Sequence, residues 1–256
     1  MVRPRFLAAA LVVLPLLPLA AHAAPLDDLV GKVLDAYGGV AALERVVAVE
    51  ERGEVHSLVR HAGQVGELRR VFQPPDRLRV EVAYPDGERE VRVVAGDHGW
   101  RDGEAVEGPM LAAMQVQAAR LALPLLLHQR HAALVDKGEV ERDGAALRQV
   151  LLPLTGGTAL SVEIDPATGH IVRSSGTVPM GPMGDMEFQT TYDDLRRVGK
   201  VMFAFHEGNY AAGEHTADTV LKSIELRGSV APGTFGPGSA PVQTTQTSHS
   251  SRRPHI

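Results

Sequence analysis

Residues Gly108 to His131 read Gly-Pro-Met-Leu-Ala-Ala-Met-Gln-Val-Gln-Ala-Ala-Arg-Leu-Ala-Leu-Pro-Leu-Leu-Leu-His-Gln-Arg-His, the one long helical pattern in the middle of a chain that otherwise reads as strands and turns. Leu111, Met114, Ala118, Leu121 and Leu125 recur at the spacing that places side chains on one helix face, with Gln115, Gln117 and Arg120 elsewhere on it. Pro109 marks the start, where its missing N–H costs nothing. Pro124 bends or ends the first piece, and Leu125 to Leu127 continue as a short second one. An apolar helix between two runs of strands must cover something, so the functional question becomes what lies beneath it.

Outward from this segment the period changes. Leu26 to Leu43 predicts an N-terminal helix, with Leu26, Leu29, Val30, Val33, Leu34 and Tyr37 on one face, Asp27 and Asp28 in the first turn, and Gly38-Gly39 interrupting it. From Val46 apolar residues alternate: Val47 to Leu58, Gly66 to Phe72, then Leu78, Val80 and Val82 interleaved with Arg77, Arg79 and Glu81, then Val91 and Val93, and a short strand at Trp100-Arg101. After the central helix the alternation resumes over Leu134 to Val140, Ala145 to Leu152, Leu160 to Ile164, Ile171 to Thr177, Met186 to Tyr192, Val201 to Phe205 and Thr219 to Leu226. About a dozen strands joined by short turns are too many for one flat sheet, so the sheet is expected to curl.

The ends carry other signals. Met1 to Ala23 has Arg3 and Arg5, an apolar run from Phe6 to Ala20 broken by Pro15 and Pro18, and Ala21-His22-Ala23 as a small-x-small site, the pattern of a secretory signal cleaved after Ala23. Cysteine is absent, so neither a disulfide nor a lipidated cysteine is available. From Ala231 Gly, Pro, Ser and Thr dominate, and residues 231–256 read as a disordered tail after one domain spanning 24–230. The chain of 256 residues has a formal charge of −5 and shows no basic stripe interleaved with aromatics, which argues against nucleic acid as a partner.

Catalytic and metal motifs are weak. His206-Glu207 opens like a zinc-hydrolase helix, but Tyr210 stands where the second His belongs. His128 and His131 stand three apart near the end of the central helical segment, where a solvated end is the simpler reading than a shared metal. Met180, Met183 and Met186 repeat every third residue; they suit either a Cu(I) thioether site or an apolar loop at a cavity mouth. No nucleophile is paired with a base in sequence, and no phosphate loop or dinucleotide fingerprint occurs. The expectation is a non-enzymatic protein without a cofactor.

Five features taken in order resemble the LolA-like family of periplasmic outer-membrane lipoprotein-sorting proteins. They are the N-terminal helix, the meander containing Gln73-Pro74-Pro75-Asp76-Arg77-Leu78-Arg79-Val80, the Gly96-Asp97-His98-Gly99-Trp100 strand, the central helical insertion, and a second meander with Val162 to Gly169. The resemblance covers roughly Leu26 to Gly228 and rests on the order of elements rather than on a catalytic motif. It implies a curled antiparallel sheet, mainly β with α, forming an unclosed half-barrel under a helical lid, with acyl chains held between them.

On that footing Met110, Met114, Leu121, Leu125, Leu126 and Leu127 are the candidate lid lining. Leu78, Val80, Val82, Val91, Val93, Phe203 and Phe205 are the candidate floor. The partners implied are a lipoprotein acyl chain or a lipid, an inner-membrane donor complex and an outer-membrane acceptor, served by a monomeric periplasmic carrier. The alternatives are an envelope-sensing or protein-binding module without transport, and a Met-rich copper protein.

Overall fold

The computed structural model describes residues 23–238, apart from the side chains of residues 23–25, Gly156 and Met183. The signal-like segment before Ala23 and most of the C-terminal tail lie outside the described residues. Helices α1 (Ala23–Ala36) and α2 (Val40–Leu43) precede six strands, β1 (Ala48–Ser57), β2 (Val65–Gln73), β3 (Arg77–Ala83), β4 (Arg89–Ala95), β5 (His98–Arg101) and β6 (Glu104–Val106). Helices α3 (Gly108–Leu121) and α4 (Leu123–Gln129) follow. Strands β7 (Val135–Arg142), β8 (Ala145–Pro153), β9 (Ala159–Ile164), β10 (Ile171–Pro179), β11 (Asp185–Val198), β12 (Val201–Ala211) and β13 (Glu214–Arg227) complete the fold.

The strands form one antiparallel sheet in the order β6-β5-β4-β3-β2-β1-β13-β12-β11-β10-β9-β8-β7. The pairing of β1 with β13, Ala48 opposite Arg227 through Ser57 opposite Ala217, joins the two meanders. Strands β6 and β7, consecutive along the chain, are therefore the two outer edges of the sheet. The segment between them has to travel from one edge to the other. Twist accumulated over thirteen strands curls the sheet, and bulges at Arg52/Gly53 and Asn209/Tyr210 add local bend beside the central seam. The shortest path between the edges then crosses the concave side.

That crossing is made by α3 and α4, whose axes turn by 89° at Ala122. The turn falls where Pro124, at the start of α4, cannot continue the hydrogen-bond ladder of α3. Helix α3 rests on β4, β5 and β10, while α4 packs on α1 and α2. Two glycines seat the lid. A Cβ on Gly99 would lie 2.8 Å from Leu111 Cδ1, and one on Gly176 would lie 3.1 Å from both Val116 Cγ1 and Leu160 Cδ2. Leu123 and Leu127 of α4 belong, with Val150, Leu152, Leu160, Val162 and Ile164, to the fully buried part of one core.

Three expectations change. Helix α1 begins at Ala23, so Asp27 lies beyond the first turn, and its Oδ1 stands 3.0 Å from Nε2 of His131 just after α4. Strand β6, over residues to which the alternation assigns no element, pairs with β5. Residues 231–238, assigned to a disordered tail, instead form a turn against the convex face, where Thr234 is buried and its carbonyl accepts from Arg79 Nη1 at 3.4 Å. That face is otherwise clad in ion pairs. Glu50 meets Arg52, Arg69 and Arg227 at 2.8, 3.0 and 3.0 Å, and Glu81 meets Arg79 and Arg89. Burial, the largest single influence, pushes both carboxyls up, but the surrounding guanidiniums outweigh it and hold both below the usual carboxylate range.

The seating of the lid predicts opposite outcomes at two glycines. Gly176→Val overpacks the α3 contact and is expected to cost about 1–3 kcal/mol in urea unfolding. Gly31→Ala, in α1 with nothing within 4 Å of the added methyl, is expected to gain about 0.5–1 kcal/mol.

Candidate ligand cleft

Strand register decides which side chains face the lid. Opposed residues share a face, so the pairs Leu68–Val82, Arg70–Val80 and Phe72–Leu78 on β2–β3 define the concave side. Extending it, Val80 pairs with Arg92, Val82 with Glu90 and Leu78 with Val94. On the other half, Tyr192 opposes Glu207 and Thr190 opposes Asn209.

Between this face and α3 lies a cleft of about 720 Å³, partly open to solvent. Its apolar walls include Leu68, Val80, Val82, Met114, Leu121 and Phe188. A second hollow of about 100 Å³ sits under the bend of the lid, lined in part by Leu121, Leu125, Phe203 and Val49.

The candidate residues divide accordingly. Met110, Met114, Leu121, Val80 and Val82 line the large cleft, and Leu121, Leu125 and Phe203 the small one. Leu78, Leu126, Leu127 and Phe205 are buried in the core and line neither. Val91 and Val93 are on the wrong side. The turn after β3 pairs Ala83 with Arg89, which puts Val91 opposite Glu81 and Val93 opposite Arg79 on the convex face. In their place β4 presents Glu90, Arg92 and Val94 to the lid. Met180 lines the cleft, at the hairpin joining β10 and β11.

Sequence reasoning passed over the polar residues that the same register turns inward. Arg70, from β2, donates Nη1 and Nη2 to both carboxylate oxygens of Glu207 on β12, at 3.0 and 2.7 Å, and Nε to Glu51 on β1. All three are buried. Glu207 lies in the middle of β12, which runs on past the Val201 to Phe205 stretch that the alternation predicts. Burial, the largest influence, lifts the Glu51 carboxyl above the usual range, with Arg70 opposing and Glu207 adding to the rise. Burial alone would lower Arg70, but the two carboxylates outweigh it and raise its pKa.

Nearby, the Tyr192 hydroxyl lies 2.7 Å from Ser174 Oγ, and burial pushes its pKa up to about 12. Asn209 accepts from Thr190 Oγ1 and donates to Thr219 Oγ1, each at 3.2 Å. The available signal was phase. Glu51 and Arg70 occupy the same alternation as Val49 and Leu68, the positions that face the core.

The lid is tied down by polar groups rather than by its apolar stripe alone. Gln115 Nε2 donates to the Gly96 carbonyl at 2.9 Å, Gln117 Oε1 accepts from Arg92 Nη1 at 3.1 Å, and Arg120 Nη2 donates to the Phe188 carbonyl. Arg120 has a buried Nε without a hydrogen-bond partner, and burial lowers its pKa.

The architecture is a single antiparallel half-barrel, open at both edge strands and roofed by helices over a lined cleft. No protein-family model and no curated protein matches this chain. Among solved structures, a domain from Vibrio parahaemolyticus described as an outer membrane lipoprotein-sorting protein domain superposes with a TM-score of 0.52 at 8% identity, covering 82% of this chain and 97% of that one. A LolA superfamily protein from Nitrosomonas europaea follows at 0.48 and 11% identity over 80% and 96% of the two chains. A DUF1329 family protein from Desulfovibrio piger gives 0.45 and 7% over 82% and 97%. The chain has the LolA-like fold. At these identities the likeness is one of fold.

The Arg70 network predicts an asymmetric response to mutation. Arg70→Leu leaves two buried carboxylates without their cation and is expected to cost about 3–5 kcal/mol, whereas the triple change Glu51→Leu, Arg70→Leu, Glu207→Leu recovers most of it. In Arg70→Leu the stranded carboxyls bind protons more tightly folded than unfolded, so its stability should rise as pH falls from neutral toward the unfolded carboxylate pKa. Urea denaturation as a function of pH measures both.

Proposed function

We propose that this protein is an exported, non-enzymatic carrier that takes an acyl chain of a lipoprotein or lipid into the cleft beneath α3 and keeps it from water during sorting in the cell envelope. The observation that carries the reading is the cleft itself. Its volume, about 720 Å³, falls within the roughly 300–1,000 Å³ of small-molecule sites. Each buried methylene contributes about 0.8 kcal/mol, so one long chain amounts to about 10 kcal/mol before ordering costs. On this reading the signal-like pattern from Met1 to Ala23 directs export, and the carrier works in the periplasm between an inner-membrane donor and an outer-membrane acceptor.

The lid supplies the moving part. Gly108 has φ 59°, and the 89° break at Ala122 gives α3 a joint at each end. Its three polar ties to the sheet can exchange with water at modest net cost. Opening is expected to swing α3 while α4 stays packed on α1. Strand addition at an edge is a poorer reading. The longer edge strand, β7, carries a bulge at Asp136/Gly138 and the charges Lys137, Glu139, Glu141 and Arg142, features that discourage pairing with another chain.

Two measurements test the reading. Native mass spectrometry of protein purified from its own envelope fraction should show bound lipid. A fluorescent fatty-acid probe should bind the wild type and lose at least tenfold in affinity in Ala217→Trp, which fills the cleft floor. Equal probe binding by the two proteins, or none by either, would remove the carrier assignment.

A further inference from the structure

One end of the cleft holds charges that acyl-chain burial leaves unexplained. Arg92 on β4 and Arg101 on β5 are directly opposed. Like charges in that position repel and destabilise a strand pair. Arg60, from the β1–β2 loop, joins them, and all three line the cleft.

Glu90 is the carboxylate they share, at 3.4 Å from Arg60, 3.3 Å from Arg92 and 3.7 Å from Arg101. Arg101 also lies 3.7 Å from the exposed Asp102, and Glu107 lines the cleft at the start of the lid. None of these contacts is a bidentate pair like that of Arg70 with Glu207. Arg92 Nε is buried without a hydrogen-bond partner even though Glu90 is close. Its charge is further disfavoured, first by burial and then by Arg101 and Arg60. Among the described residues the cleft lining holds five arginines against three glutamates, in a chain of formal charge −5.

Resting on the carrier reading, we propose that the cleft is selective for anionic amphiphiles, and that Arg60, Arg92 and Arg101 bind the charged phosphate or carboxylate group while the chain lies along Val80, Val82 and Met114. An anion at this position relieves the Arg92–Arg101 repulsion and accepts the guanidinium donors that Glu90 leaves poorly aligned. It also competes with Gln117 for Arg92 Nη1, which couples capture of the charged group to one of the lid's attachments.

Isothermal titration with four probes tests this: dodecyl phosphate, dodecyl maltoside and dodecyltrimethylammonium below their micelle concentrations, and inorganic phosphate. Dodecyl phosphate should bind at least tenfold more tightly than the maltoside, and the cationic detergent no better than the maltoside. The preference should shrink as salt rises from about 0.02 M to about 0.5 M, and should disappear in Arg92→Gln/Arg101→Gln. Arg148→Gln, on β8 away from the cleft, should keep it. If the double variant fails to fold, the salt series on the wild type decides.

Equal binding of all three detergents would overturn the anionic preference and leave the carrier standing. Inorganic phosphate binding as tightly as dodecyl phosphate would replace the amphiphile with a free-anion site. No binding of any detergent would remove the carrier reading itself.

Discussion

The ion pair between Arg70 and Glu207 ties the two halves of the sheet together across its concave face. In the strand order, β1 and β13 stand between β2 and β12, a separation of about 14 Å in a flat sheet. Curling brings the two side chains together over the concave face, and the bulges at Gly53 and Tyr210 beside the seam accommodate that curl. Gly53 has no room for a side chain there, since a Cβ would sit 2.2 Å from the Val220 carbonyl. A buried ion pair is not a strong source of stability in itself, because desolvation consumes much of the attraction. Its geometry is specific, and that specificity holds the floor of the cleft at one curvature.

The lid follows from the same topology. With β6 and β7 at opposite edges, the chain between them crosses the opening, and the residues of that crossing decide what the enclosed space becomes. Leucines at the α4 end fill it and merge with the core under α1. Toward the α3 end the helix is held away from β2 and β3 by its seats at Gly99 and Gly176 and by three polar ties, and the space below remains open. A packed end and an open end along one lid suit the proposed carrier, in which one part keeps the fold while the other swings.

The two faces of the sheet use charge differently. On the convex side Glu50 and Glu81 are surrounded by arginines at hydrogen-bonding distances, and the turn at 231–238 covers part of β3 and the β5–β6 hairpin. On the concave side the arginines of β4 and β5 face each other over one shared carboxylate in a half-closed cleft. That arrangement is poor for stability, and the proposed anionic ligand is what accounts for its retention.

Much of the architecture was legible from periodicity. The strands other than β6 in their order along the chain, the break at Gly38-Gly39, the kink at Pro124 and the curl of the sheet all follow from local rules of spacing and backbone chemistry, which act over a few residues. Which lid residues face the cleft was legible in part: helical spacing brings Met114 and Leu121 to one face, but Gln117 and Arg120, expected elsewhere on the helix, line the cleft beside them. The floor was not. Alternation says that every second residue of a strand shares a face, but not which face, and that phase is set by how each hairpin closes. The turn after β3 placed Arg92 inside and Val91 and Val93 outside, against the expectation that valines face a lipid. Sequence by itself determined a curled antiparallel meander with a helix across it; only the tertiary structure, through register and the meeting of β2 with β12, decided that the space beneath is walled by hydrocarbon and lined at one end with arginine.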